Sequence, residues 1–139
     1  MTPNEFFQRL NKDTMSIVED FYAPDAVLVD PVGEVHGAKN IRAYYAHQYA
    51  ALNSIECKME PEIRDGDQTI LQWTMIISHP RIDGGKTISV KGMSKLVLKE
   101  GKAVFHQDFF DLGAMVYEHI PVVGSLIGFI KKQMKKGVE

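Results

Sequence analysis

The sequence predicts an α+β domain in which helices pack on the concave side of a curved antiparallel sheet and enclose a pocket. Two observations predict this class. Apolar residues recur with a helical period through most of residues 3–52, whereas residues 54–111 contain strand-like segments separated by turn signals. Helices followed by consecutive strands are typical of α+β folds. A length of 139 residues fits one hydrophobic core.

The first helix is predicted from its capping residues. Thr2, Pro3 and Glu5 have the order of a capping box with proline in the first turn. The helical repeat continues to Phe21 with a break near residues 11–13. Helical segments are therefore expected before the first strand.

The next part of the chain alternates between a strand, a turn and a helix. Residues 26–30 are rich in β-branched and apolar residues and end at Pro31, which predicts a short strand. Residues 33–37 are predicted to continue as a turn. From residue 38 to 52 the apolar period is helical again.

Four strand segments are predicted in the second half of the chain. They span residues 54–64, 69–78, 86–98 and 103–111, with turn signals at 65–67, 83–85 and 99–102. Residues 69–78 are nearly all apolar, so this strand is expected to be covered on both faces.

A C-terminal amphipathic helix is predicted to follow the sheet. Its apolar face is formed by Val122, Val123, Leu126, Ile127, Ile130 and Met134, and its end carries Lys131, Lys132, Lys135 and Lys136. We expect a pocket domain over residues 1–118 and this helix as an extension over 119–139. It would cover the sheet or a dimer surface. The alternative is peripheral docking on an anionic membrane.

Composition excludes several classes of function. A formal net charge of −2 argues against a nucleic-acid-binding protein. Cys57 is the single cysteine, and the histidines lack ligand spacing, so neither a disulfide nor a metal site is predicted. No signal peptide and no apolar run long enough to span a bilayer is visible, so a soluble, cytoplasmic protein is expected.

The last strand carries the strongest candidate site. Strand alternation places His106, Asp108 and Phe110 on one face. Asp30 ends the early strand beside a proline. A carboxylate in an apolar pocket is suited to general acid or base chemistry. The alternatives are that Asp30 only forms a turn, that Asp108 fixes backbone amides, and that His106 only lines the pocket.

Two motifs give a resemblance to a known family. Residues 21–33 read FYAPDAVLVDPVG, and residues 101–112 read GKAVFHQDFFDL. Both resemble segments of the SnoaL-like, nuclear-transport-factor-2-like superfamily, which includes ketosteroid isomerases, limonene-epoxide hydrolases and polyketide cyclases. The first is similar to the isomerase segment with the catalytic base, at Asp30. The second resembles the hydrolase segment with an acid/base aspartate, at Asp108. The resemblance implies a cone-shaped sheet and a homodimer.

The sequence also departs from both relatives. The isomerase's oxyanion-hole tyrosine falls on Phe6, and its partner carboxylic acid falls near Ser94. The hydrolase's second aspartate and its arginine fall on Ile77 and Met75. Neither the isomerase mechanism nor the hydrolase mechanism can therefore be assigned to this sequence unchanged.

These observations combine into one predicted site. Asp30, Asp108 and His106 are the candidate catalytic residues, without metal or cofactor. The predicted pocket lining is Leu28, Trp73, Met75, Ile77, Val90, Gly92, Ser94 and Phe110. Such a wall fits a small apolar molecule with a carbonyl or hydroxyl group. We expect an isomerase, cyclase or hydrolase. The alternatives are a non-catalytic small-molecule or lipid-binding module and a membrane- or partner-associated accessory protein.

Overall fold

The structure is a computed structural model that describes residues 1–137. Its helices are α1 (Pro3–Arg9), α2 (Ile17–Phe21), α3 (Ala38–Ala50), α4 (Leu112–Met115) and α5 (Pro121–Met134). Its strands are β1 (Tyr22–Asp30), β2 (Gly33–His36), β3 (Ser54–Met59), β4 (Ile63–Asp65), β5 (Gln68–Ser78), β6 (Ile88–Lys99) and β7 (Lys102–Phe110). The predicted α+β class is confirmed.

The strands form one curved, unclosed sheet with the order β2-β1-β7-β6-β5-β3, and β4 also pairs with β5. The sheet is mixed rather than purely antiparallel as predicted, because β1 and β7 run parallel. A parallel pair requires a long connection, and here α3 and the strands β2 to β6 separate the two partners in the chain. This pairing brings the two strands that carry Asp30 and Asp108 side by side.

Two local predictions are wrong in informative ways. The predicted turn at residues 33–37 forms β2, which pairs antiparallel with β1 from Val27 to Asp30. The predicted strand over residues 54–64 is divided into β3 and β4. Pro61 lies in the gap between them, and a proline has no backbone N–H for the ladder.

Helices α1 to α3 contribute the other side of the core. Thr2 and Glu5 form the predicted capping box at the start of α1. Phe6 is fully buried, and its ring stacks on Phe21 at 4.1 Å between centroids. The most buried core side chains include Val18, Tyr22, Leu28, Ile41, Leu71 and Leu96. Helix α3 packs against β1 and forms one wall above the concave sheet.

The chain after β7 folds into short helical pieces. Asp111 caps α4 by accepting a hydrogen bond from the Ala114 N–H at 3.0 Å. A 3-10 turn at Tyr117–His119 then leads to α5, which packs mainly on that turn. Helix α5 therefore does not cover the sheet. Within residues 1–137, every helix is too short or too polar to cross a membrane.

Candidate functional site

A cavity of about 350 Å³ lies between α3, the strands β5 and β7, and α4. Its wall is mostly aromatic and apolar. It includes Phe7, Tyr44, Tyr45, Tyr49, Ile55, Trp73, Met75, Ile77, Phe110 and Met115. Asp30 and Asp108 both contribute carboxylates to its lining. The fold thus brings both predicted aspartates to one cavity.

Asp108 is anchored through one of its two carboxylate oxygens. Its Oδ1 accepts hydrogen bonds from Ser94 Oγ and His106 Nε2, both at 2.5 Å. Ser94 is itself held by Trp73, whose Nε1 donates to Ser94 Oγ at 2.9 Å. The Asp108 side chain is 19% exposed. Within residues 1–137 its Oδ2 receives no hydrogen bond, so this oxygen remains available to a molecule in the cavity.

His106 connects Asp108 to two buried tyrosines. The histidine is fully buried, and its Nδ1 lies 2.7 Å from the Tyr22 hydroxyl. That hydroxyl lies 3.0 Å from the hydroxyl of Tyr45. In a neutral His106 that donates from Nε2 to Asp108, Nδ1 accepts from Tyr22 and Tyr22 accepts from Tyr45. The arrangement is a continuous hydrogen-bonded chain from Tyr45 to Asp108.

Asp30 is held by its own turn and by helix α3. Its Oδ1 accepts hydrogen bonds from the backbone N–H groups of Val32 at 2.8 Å and Gly33 at 3.1 Å. Its Oδ2 accepts from the Tyr44 hydroxyl at 2.5 Å. The first pair of bonds is the turn arrangement typical of aspartate. Asp30 therefore both shapes the turn and lines the cavity.

Burial controls the protonation of the tyrosines and the thiol around the cavity. Desolvation raises the pKa of Tyr22, Tyr44, Tyr45 and Tyr49 above the ordinary tyrosine value, and the negative charge of Asp108 raises it further. Desolvation, with a smaller contribution from the Asp108 charge, raises the pKa of Cys57 to about 11. These hydroxyl and thiol groups are therefore protonated at neutral pH.

Several residues predicted to line the pocket lie behind its wall. Trp73, Met75, Ile77 and Phe110 are in the lining, but Leu28, Val90, Gly92, Ser94 and His106 are not. The indole of Trp73 covers Gly92 and bonds Ser94, so both lie beneath it. Leu28 and Val90 are buried in hydrophobic clusters. Strand alternation identifies the correct face of each strand, but not which side chains on that face are covered by others.

Sequence reasoning misses the hydroxyl groups of the site. The helical period assigns Tyr44, Tyr45 and Tyr49 to the apolar face of a helix, and it gives Tyr22 no role. The signal that could reveal them is a helical face with three tyrosines directed at a carboxylate-bearing strand, because buried tyrosine hydroxyls usually find a partner. Among the described residues, no cluster of three His, Cys, Asp or Glu side chains could hold a metal ion.

The curved mixed sheet and the three helices that precede and follow its first strands define a nuclear-transport-factor-2-like fold of the ketosteroid isomerase type. The family model of the SnoaL-like domain matches residues 4–106. The chain therefore belongs to the SnoaL-like family. No curated protein matches the sequence.

Solved structures share this fold at low sequence identity. A proposed polyketide cyclase from Acidithiobacillus ferrooxidans is 20% identical, with a TM-score of 0.71 over 86% of this chain and 92% of the other. A hypothetical protein of ketosteroid isomerase-like fold from Catenulispora acidiphila, in complex with trimethylamine, is 16% identical. Its TM-score is 0.70 over 86% of this chain and 93% of the other. An NTF2-like protein of unknown function from Burkholderia pseudomallei is 20% identical, with a TM-score of 0.67 over 83% and 95%.

Proposed function

We propose that this protein is a cofactor-free enzyme that performs general acid/base chemistry on a small apolar molecule with a carbonyl or hydroxyl group. The observation that carries the proposal is the position of Asp108 and its hydrogen bonds. One of its oxygens is anchored by Ser94 and His106, and its side chain lines an apolar cavity of about 350 Å³. A positioned carboxylate in apolar surroundings is a suitable proton acceptor and donor.

The proposed proton transfer uses the second carboxylate oxygen. When Asp108 Oδ2 takes a proton from a carbon next to a carbonyl, the C–H electron pair moves toward the carbonyl and forms an enolate. Oδ2 then returns the proton to another atom of the same molecule. Alternatively, the enolate carbon attacks a second carbonyl and closes a ring, and Oδ2 returns the proton to the alkoxide oxygen that this attack forms. Both outcomes begin with the same step, so Asp108 serves an isomerase and a cyclase equally.

Asp30 has a different role in this proposal from that of Asp108. Both of its oxygens already accept hydrogen bonds, from the backbone of its turn and from Tyr44. Because both oxygens are already engaged, neither is left free to take a proton from a molecule in the cavity. We assign to Asp30 the role of positioning Tyr44, whose hydroxyl is a polar group in the otherwise apolar cavity wall. Of the two aspartates that the sequence offers as catalytic residues, the proposal therefore keeps Asp108 as the group that transfers the proton.

The comparisons support a small-molecule site in this fold. One neighbour is described as a proposed polyketide cyclase, and another is in complex with trimethylamine. Ring closure in a polyketide requires the removal of a proton next to a carbonyl group, which matches the step assigned to Asp108. Among isomerase, cyclase and hydrolase, the cyclase therefore has the strongest support.

The proposal is tested by proton exchange, which does not require the natural substrate to be identified. Cyclic and aromatic ketones are incubated with the protein in D2O, and deuterium at the carbon next to the carbonyl is followed by NMR. We expect exchange that Asp108→Asn slows by about 10²-fold or more, the usual contribution of a general base. Asp25→Asn is the matched control, since Asp25 is exposed on β1 and does not line the cavity.

Equal exchange by Asp108→Asn and the unaltered protein would refute the catalytic assignment. The competing function is a binding module that uses the same cavity without turnover. Native mass spectrometry addresses it directly. A small molecule that co-purifies with both proteins, unchanged in mass, in the absence of any ketone exchange, would favour that module over the enzyme.

A further inference from the structure

Helix α5 faces the rest of the chain with the side that carries its two glycines, and Gly124, Ile127 and Gly128 are half-buried there. A Cβ atom added at Gly124 would lie 2.3 Å from the carbonyl oxygen of Glu118, so the helix backbone approaches the preceding turn very closely. Lys131 Nζ lies 2.8 Å from Glu118 Oε1. A glycine and a lysine therefore fix the rotation of α5 about its own axis.

The opposite side of α5 is apolar and exposed. Its large exposed side chains are Val122, Val123, Leu126, Phe129, Ile130 and Met134, of which Val122 and Met134 are each 81% exposed. At 3.6 residues per turn these six side chains fall within an arc of about 140°. An amphipathic helix normally buries such an arc, and here the rotation fixed by Gly124 directs it away from the body of the domain.

The charge at the end of α5 has one sign. Lys131 and Lys132 lie in its last turn, Lys135 and Lys136 follow directly, and all four are exposed. Residues 121–137 contain no acidic side chain. The apolar arc therefore ends in a cluster of four positive charges.

We propose that α5 docks on the surface of an anionic lipid bilayer, with its apolar arc at the boundary between headgroups and acyl chains. The lysines would contact lipid phosphates. Amphipathic helices with lysine on their polar side bind membranes in this way. The charge of the helix selects this partner over a second copy of the chain. In a pair of α5 helices neither orientation brings an acidic side chain of residues 121–137 to the lysines, whereas an anionic surface supplies a counter-charge to Lys132, Lys135 and Lys136.

The test uses the full-length protein and vesicle flotation, which is independent of any catalytic readout. The vesicles contain phosphatidylcholine and phosphatidylglycerol at 3:1, with pure phosphatidylcholine as the comparison. We expect the protein to float with the anionic vesicles and to be released by high salt. The double variant Leu126→Glu/Phe129→Glu should not float. Both side chains are 59% exposed, so the fold tolerates the change.

The matched control is Ile63→Glu, because Ile63 is 53% exposed but lies on β4, outside α5. This variant should float like the unaltered protein. Lys132→Gln/Lys135→Gln should weaken binding about 25-fold, since each lysine near an anionic surface contributes about a fivefold gain. Equal flotation with neutral vesicles, or flotation that survives the glutamates in α5, would overturn the proposal. Absence of flotation together with a dimer that Leu126→Glu/Phe129→Glu converts to monomer would identify a second copy as the occupant instead.

Discussion

Trp73 and Gly92 lie directly opposite each other on β5 and β6, and the indole of Trp73 occupies the space above the glycine. A Cβ atom at residue 92 would lie 2.3 Å from Trp73 Cη2. Because no side chain occupies that space at residue 92, the indole fits there and its Nε1 reaches Ser94, and Ser94 in turn donates to Asp108. A glycine thus determines the geometry of the candidate base without touching it.

Gly92→Ala is expected to destabilise the fold and to displace Trp73. The added methyl group overpacks the strand pair, which costs about 1–3 kcal/mol in a well-packed core. Displacement of the indole should also break its hydrogen bond to Ser94. Urea unfolding measures the loss of stability, and the fluorescence maximum of Trp73, the only tryptophan, reports its new surroundings. An unchanged maximum with unchanged stability would show that the indole does not rest on Gly92.

Tyr22→Phe is expected to destabilise the protein although it keeps the aromatic ring. The hydroxyl that is removed lies between His106 Nδ1 and the Tyr45 hydroxyl, so the change leaves buried polar atoms without partners. The cost of unsatisfied buried groups is about 1–3 kcal/mol. Tyr117→Phe is the control, since Tyr117 is 45% exposed. Urea unfolding of both variants makes the comparison.

The same Tyr22 variant should change the nitrogen NMR signals of His106. Loss of the hydroxyl alters the environment of Nδ1 directly, whereas a purely steric role for Tyr22 would leave the ring nitrogens as they are. If Tyr22→Phe had the same nitrogen chemical shifts and the same stability as the unaltered protein, the hydrogen-bonded chain from Tyr45 to Asp108 would not exist.

The sequence is sufficient to predict the fold class and the strands that carry the site, since alternation and turn signals are local properties. The positions of Asp30 and Asp108 follow from two local motifs. The parallel pairing of β1 with β7 cannot be derived in this way, because the sequence of a strand of five to nine residues does not determine whether its neighbour runs parallel or antiparallel. Only that pairing brings the two aspartates to one cavity.

The hydrogen bonds that anchor Asp108 cannot be predicted from the sequence for a related reason. Alternation places Ser94 and His106 on the correct faces, but it does not show that Trp73 covers Ser94 or that His106 lies beneath the wall beside Tyr22. These relations depend on three-dimensional packing between β5, β6, β7 and the start of β1. Likewise, the helical period of α5 reveals its apolar face, and only the contact of Gly124 with Glu118 reveals that this face is exposed.

Cys57 in the cavity wall should react slowly with alkylating reagents. Its pKa is raised to about 11, and only the thiolate reacts, so at pH 8.5 the reactive fraction is about a hundredfold lower than for an ordinary cysteine with a pKa of about 8.5. Iodoacetamide labelling followed by mass spectrometry should show a rate that still rises about tenfold per pH unit between about pH 7.5 and 9.5. A plateau near pH 9 would contradict the raised pKa.

Asp108→Asn gives this labelling experiment its internal check. The negative charge of Asp108 disfavours the thiolate, so its removal lowers the pKa of Cys57 and moves the rate profile toward lower pH. Desolvation is the larger cause and remains in the variant, so the shift is partial. The unfolded protein in urea supplies the reference, because there the thiol titrates at its ordinary value.

The two glycines of α5 should respond in opposite ways to alanine. Gly124→Ala places a methyl group against the Glu118 carbonyl and forces α5 away from the Tyr117–His119 turn, whereas a Cβ atom added at Gly128 would have no atom within 4 Å. Gly128→Ala therefore only gains helix propensity, about 0.8–1 kcal/mol. Hydrogen exchange of the α5 amides should become faster in Gly124→Ala and slower in Gly128→Ala. If both variants slowed exchange equally, α5 would be held by its intrinsic helicity alone, and the close contact at Gly124 that directs its apolar arc outward would not exist.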